Sequence, residues 1–184
     1  MPDGTLATAE TQLRACNAPL TLGTVRAALA QIVTHCRATA TPLPRIQAVL
    51  VSAESIDLLV DDDKAPCAPF TAKSSGHWML DVSALHDSGP EALIGGYPAL
   101  VSVGTVGHAV LLLNLEAIGT LSVTGDQVAV DEAMRTIAVE LATSPLSGSV
   151  ALTLPEHLAD LADVADPDRV CATTTDAGAR RAQA

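Results

Sequence analysis

The chain has 184 residues, a formal charge of −11 from 10 Lys plus Arg against 21 Asp plus Glu, and three aromatic residues, Phe70, Trp78 and Tyr97. That composition excludes a nucleic-acid binder, whose phosphate contacts are built from clustered Lys and Arg and whose bases need stacking aromatics. The longest wholly apolar run, 109–113, is far short of the roughly 20 residues a membrane-spanning helix needs, so no direct membrane insertion is expected.

The length suits one domain with its own core. The start, Met1-Pro-Asp-Gly, lacks a basic stretch followed by an apolar one, which predicts no secretory leader and a cytoplasmic address. Residues 1–13 read as a frayed start or a short helix. Leu22, Val25, Leu29, Ile32, Val33 and Cys36 then recur at spacings of three and four, predicting a helix over 21–38 that Pro42 and Pro44 stop. Residues 46–51 and 56–60 are β-branched and leucine-rich runs around a polar turn, a hairpin pattern, and 70–73 with 77–81 around Ser74-Ser-Gly76 make a second. Between them Asp61-Asp-Asp63 reads as a solvated strand end, because a Ca²⁺ loop alternates its ligands and carries a glycine turn. Residues 85–96 form a glycine-rich loop dividing an N-terminal portion, 1–96, from a C-terminal portion, 97–175.

In the C-terminal portion, 97–103 and 108–115 predict two strands joined by a glycine-bearing turn. A third, 119–124, feeds Gly125 and Asp126, a good helix N-cap. Val130, Ala133, Met134, Ile137, Ala138 and Leu141 keep helical spacing to Thr143, with Asp131 and Arg135 as an i,i+4 ion pair. The apolar run 150–154 has the pattern of a central strand, so 120–154 reads as a right-handed parallel βαβ unit. A short helix over 156–162, an edge strand over 169–173 and a disordered tail, 176–184, complete the chain. The expected fold is α/β, a sheet in two or three layers with flanking helices.

A strand that feeds a glycine turn opening a helix is where phosphate binds in P-loop proteins. The required pattern is G-x-x-x-x-G-K-[ST]. Counted from Gly125, Val130 replaces the second glycine, Asp131 the lysine and Glu132 the hydroxyl residue, next to Asp126. Val130 denies close approach of the backbone, Asp131 repels phosphate by roughly 1 kcal/mol at about 4 Å in water and more in a drier site, and Glu132 removes the Mg²⁺-binding hydroxyl. No working nucleotide site and no cofactor are expected.

Cys16, Cys36, Cys67 and Cys171 have no paired spacing, so buried free thiols are expected in place of a metal site. The histidines His35, His77, His86, His108 and His157 fall in different elements. A Cys67 nucleophile with a His77 base can be assembled on paper, without any local catalytic signature. No catalytic residue is assigned.

Residues 97–170, above all Leu121-Ser-Val-Thr-Gly125, Ala138-Val-Glu-Leu-Ala142 and Thr143-Ser-Pro145, resemble the opening βαβ of FtsK-type and type VII secretion ATPase domains. Together with Pro42-Leu-Pro-Arg-Ile-Gln-Ala-Val-Leu-Val51, Ile56-Asp-Leu-Leu-Val60, Ala68-Pro-Phe-Thr71, Trp78-Met-Leu-Asp81 and Asn114-Leu-Glu-Ala-Ile-Gly-Thr-Leu-Ser-Val-Thr-Gly-Asp126, the chain is similar over 22–173 to the cytoplasmic middle region of large actinobacterial membrane proteins that carry LysM and bacterial transcriptional activator domains. The resemblance implies a degenerate P-loop half-domain, half of an ATPase core, used as a scaffold. The expected function is a non-catalytic scaffold or regulatory interaction module, a pseudo-ATPase that binds a protein partner or itself. The alternatives are a small-ligand or weak nucleotide-binding domain and a hydrolase built on Cys67 or Cys171.

Overall fold

A computed structural model describes residues 22–61, 66–85, 96–143, 146 and 151–163. It shows a mixed α/β fold in which six strands make one sheet of order β3-β4-β2-β1-β6-β5. Helix α1 (Leu22–Thr39) leads into β1 (Ile46–Val51) and β2 (Ser55–Val60), then β3 (Thr71–Ser74) and β4 (His77–Asp81). After residue 96 come β5 (Leu100–Val106), β6 (Ala109–Asn114), the single turn α2 (Leu115–Ile118), α3 (Gln127–Thr143) and a 3₁₀ helix (Glu156–Asp163).

The periodicity of α1 buries Val25, Leu29, Ile32, Val33 and Cys36 on one face of the sheet, against Val49, Val51, Ile56, Leu58, Trp78 and Leu80. The helix ends where Ala40 takes a left-handed φ of 52° and the Thr41 amide donates to the Cys36 carbonyl at 2.9 Å, before the prolines. Both expected hairpins form. Ser52 Oγ accepts the Ser55 amide at 2.9 Å in the first turn, and Gly76 sits at φ 67° in the second. There a Cβ would lie 2.8 Å from the Val60 carbonyl oxygen, so the turn needs glycine for space as well as for conformation.

Strand β6 pairs antiparallel with β1, so residues before position 85 and after position 96 share one sheet. Asn114, at the end of β6, is buried and fully used: its Nδ2 donates to the Ile46 carbonyl at 2.9 Å, and its Oδ1 accepts the Glu116 amide to cap α2. Tyr97 donates its hydroxyl to the Pro44 carbonyl at 3.0 Å, and burial pushes its phenol pKa well above the ordinary range.

Side chains alternate across β5: Leu100 joins the α1 core, while Val101 packs with Leu141 of α3. Helix α3 therefore lies on the opposite face of the sheet, over its β5 end. Arg135 holds the 3₁₀ helix to α3 through a forked pair with Asp160, at 2.6 and 3.3 Å.

Three expectations need correction. The βαβ unit over 120–154 is not formed: residues 119–124 and 151–155 lie in no strand, and every strand pair of the sheet is antiparallel. The place beside β1 that a central strand would take is filled by β6, and Leu152 and Leu154 serve as anchors against α3 instead. Arg135 pairs with Asp160 and not with Asp131, which accepts a hydrogen bond from Gln127 Nε2 at 2.8 Å. The two C-terminal strands are also shifted from 97–103 and 108–115 to Leu100–Val106 and Ala109–Asn114. The expectations for 1–13, 169–173 and 176–184, and those for Cys16, Cys171, His86, Asp62 and Asp63, lie outside the described residues.

Candidate interaction edge

The expected degenerate loop is a capped helix start. Gly125, at φ 152°, turns the chain into α3, and Asp126 Oδ1 accepts the Val128 and Ala129 amides at 3.1 and 3.4 Å. A carboxylate thus already occupies the donors that would face a phosphate. Val130 is half-buried, Asp131 is held by Gln127, and Glu132 is exposed with its carbonyl accepting the Thr136 hydroxyl.

Cys67 and His77 are not brought together. Cys67 is buried with Cys36 beside a cavity of about 190 Å³ under Trp78, where burial, and then the neighbouring Cys36, pushes its thiol pKa up. His77 neighbours Trp78 in β4 and so points to the other face, where its Nε2 lies 2.7 Å from Asp57 Oδ1. Lys73 Nζ reaches the same oxygen at 3.1 Å, and Ser55 Oγ donates to Oδ2 at 2.9 Å. Burial raises the Asp57 pKa, but the hydrogen bonds from Lys73, Ser55 and His77 outweigh it and hold the carboxyl below its ordinary range. This cluster ties β2, β3 and β4 together on the face of the sheet opposite α1. Among the described residues no group of three His, Cys, Asp or Glu is placed to hold a metal ion, and no helix is long and apolar enough to cross a membrane.

The two outer strands differ sharply. Strand β3 is four residues long, exposed throughout and carries Lys73. Strand β5 has seven residues and none of them charged; indeed no Asp, Glu, Lys or Arg occurs from Ala92 to Leu115. Its far half lies open, with Val103 38% and Val106 55% exposed and Gly104 and Thr105 exposed between them. Among the described residues no strand pairs with its outer side. Such an edge presents unpaired amides and carbonyls to any strand that approaches.

Two features shape this edge. Glu140 of α3 reaches across to Ser102, accepting its amide at 3.0 Å and its hydroxyl at 2.6 Å, so it occupies the edge at that point and leaves the Val103–Val106 end free. Beside it a groove of about 480 Å³ opens between β5 and α3, lined by Val103, Leu113, Leu121, Val123 and Ile137. The sequence places Val103, Leu113, Leu121 and Val123 only in strands and Ile137 in a helix; the signal that could have found the edge is the charge-free stretch in an otherwise acidic chain. Comparison with family models, with curated proteins and with solved structures found no match to this chain.

Proposed function

We propose that this chain is a non-catalytic scaffold or regulatory module, a pseudo-ATPase only in the sense of having no working nucleotide site, that works by strand addition at the outer edge of β5. The observation that carries the reading is the exposed, uncharged Val103–Val106 edge in a chain of net charge −11. Strand addition takes its affinity from main-chain hydrogen bonds and its specificity from pockets for alternate side chains; the groove beside Val103 is suited to the second role.

The test uses a labelled peptide, Lys-Val-Thr-Val-Thr-Val-Lys, titrated by fluorescence anisotropy with amide exchange followed at 103–106. Saturable binding that protects these amides is expected; no binding and no protection would overturn the reading. A thermal-shift titration with ATP and Mg²⁺ is expected to leave the melting point unchanged, and micromolar ATP affinity would contradict the pseudo-ATPase part. A second reading, a site for a small apolar ligand, rests on the groove volume and on Leu121 and Ile137 within it. A fluorescent apolar dye displaced from the groove without protection of 103–106 would favour it.

A further inference from the structure

We propose that the strand received by β5 is the β5 of a second copy of this chain, laid antiparallel across a two-fold axis; this rests on the reading of β5 as an interaction edge. Charge selects the partner. Two chains of net charge −11 repel wherever acidic faces meet, and the hairpin from Leu100 to Asn114 has no formally charged residue of its own, the Glu140 carboxylate reaching it only at Ser102. An uncharged edge also gives a charged peptide no ion pair, whereas a second copy supplies the same β-branched, uncharged strand. Two-fold symmetry then makes the contact self-complementary, as in most homo-oligomers.

Glu140 fixes where the pairing falls. Because it occupies the edge at Ser102, and because β5 breaks register with β6 between Ser102 and Gly104, the partner strand is confined to the end of β5 beyond them, with the axis near Gly104 and Thr105. Each Ser102 then lies opposite the turn end of the other hairpin. The two Glu140 carboxylates stand apart by roughly five residues of strand, about 16 Å at 3.3 Å per residue, beyond the screening length of about 8 Å at physiological salt. The contact also covers Val103 and Val106, the exposed apolar side chains of the edge. A paired segment this short makes a small interface, so a concentration-dependent dimer is expected and not an obligate one.

Light scattering on the full chain across a concentration series tests this. The mass is expected to rise from the 18.8 kDa of one chain toward twice that value, and to rise more readily at higher salt. Val106→Lys is expected to return the mass to one chain with the melting point unchanged, whereas Lys73→Ala, on the opposite edge, leaves the dimer intact. Amide exchange on the unmutated protein, dilute against concentrated, guards against a misfolded variant: those amides of 103–106 that face away from β6 are expected to be protected only when concentrated. A single-chain mass at all concentrations, or a dimer that leaves 103–106 unprotected, would overturn self-pairing. A monomer that still binds the strand peptide at 103–106 overturns this proposal alone. A monomer that binds no peptide overturns the function proposed above as well.

Discussion

The two edges of the sheet, β3 and β5, present the same kind of backbone groups and treat them in opposite ways. Strand β3 is short and polar and bears Lys73; both features discourage a foreign strand. Strand β5 is longer, β-branched and uncharged; it too breaks register, between Ser102 and Gly104, and Glu140 covers it at Ser102. Among the described residues one edge is thus short and charged and the other long and uncharged, and the function proposed above takes the first as a closed end and the second as the docking end. The closed end also holds the larger share of the core, with Phe70 and Trp78 at 6.5 Å between ring centres.

That comparison can be broken or sharpened by substitution. The largest effect is expected from Trp78→Ala, which empties the core beneath the closed end: about 3–5 kcal/mol of stability should be lost in urea unfolding, with the cooperativity of the transition retained. Gly76→Ala comes next. It forces an L side chain to φ 67° with its Cβ 2.8 Å from the Val60 carbonyl, and about 1–3 kcal/mol should be lost; an unchanged midpoint would mean that the β3–β4 turn is not held as described.

Asp57→Asn should cost about 1–2 kcal/mol at neutral pH, since a carboxylate that accepts from the Lys73 ammonium and from Ser55 is replaced by an amide. The Asp57 carboxyl is held below its ordinary value of 3.8, so its ionised form contributes stability fully above that value and loses it as pH falls through the lower folded value. Melting temperature against pH should therefore show a shallower acid limb in Asp57→Asn than in the unmutated chain. Glu140→Gln, at the open end, should cost about 0.5–1.5 kcal/mol and speed exchange of the Ser102 amide. The smallest effect on global stability belongs to Arg135→Ala, whose pair with Asp160 is at the surface. It should free the 3₁₀ helix, seen as faster exchange at Leu158 and Leu161, with the melting point hardly moved.

Much of the fold, though not the division between its two edges, was legible in the sequence, and the reason differs by element. Helix α1 could be read because its apolar residues mark one face without reference to anything distant. The hairpins could be read because Ser52–Ser55 and Ser75–Gly76 carry local turn chemistry. The βαβ unit could not, because an apolar run such as Leu152 to Leu154 looks the same whether it enters a ladder or only anchors a helix. Which of these it does was decided by β6 taking the place beside β1, a pairing over more than sixty residues of chain. Arg135 failed for a related reason: Asp131 lay at the right spacing, but Asp160, distant in sequence, offered both carboxylate oxygens to the guanidinium. At the candidate site Asp126 was foreseen as a cap. The open edge was not, since exposure of Val103 and Val106 depends on which strands end the sheet.

Amide hydrogen exchange, read at β3 and β5 in one experiment at low and high protein concentration, tests the central claim most directly, because each edge is the other's control. The account predicts that raising the concentration slows exchange at 103–106 and leaves 71–74 as fast as in dilute solution. Equal behaviour of the two edges at every concentration, together with a failure of the strand peptide to protect 103–106, would contradict it.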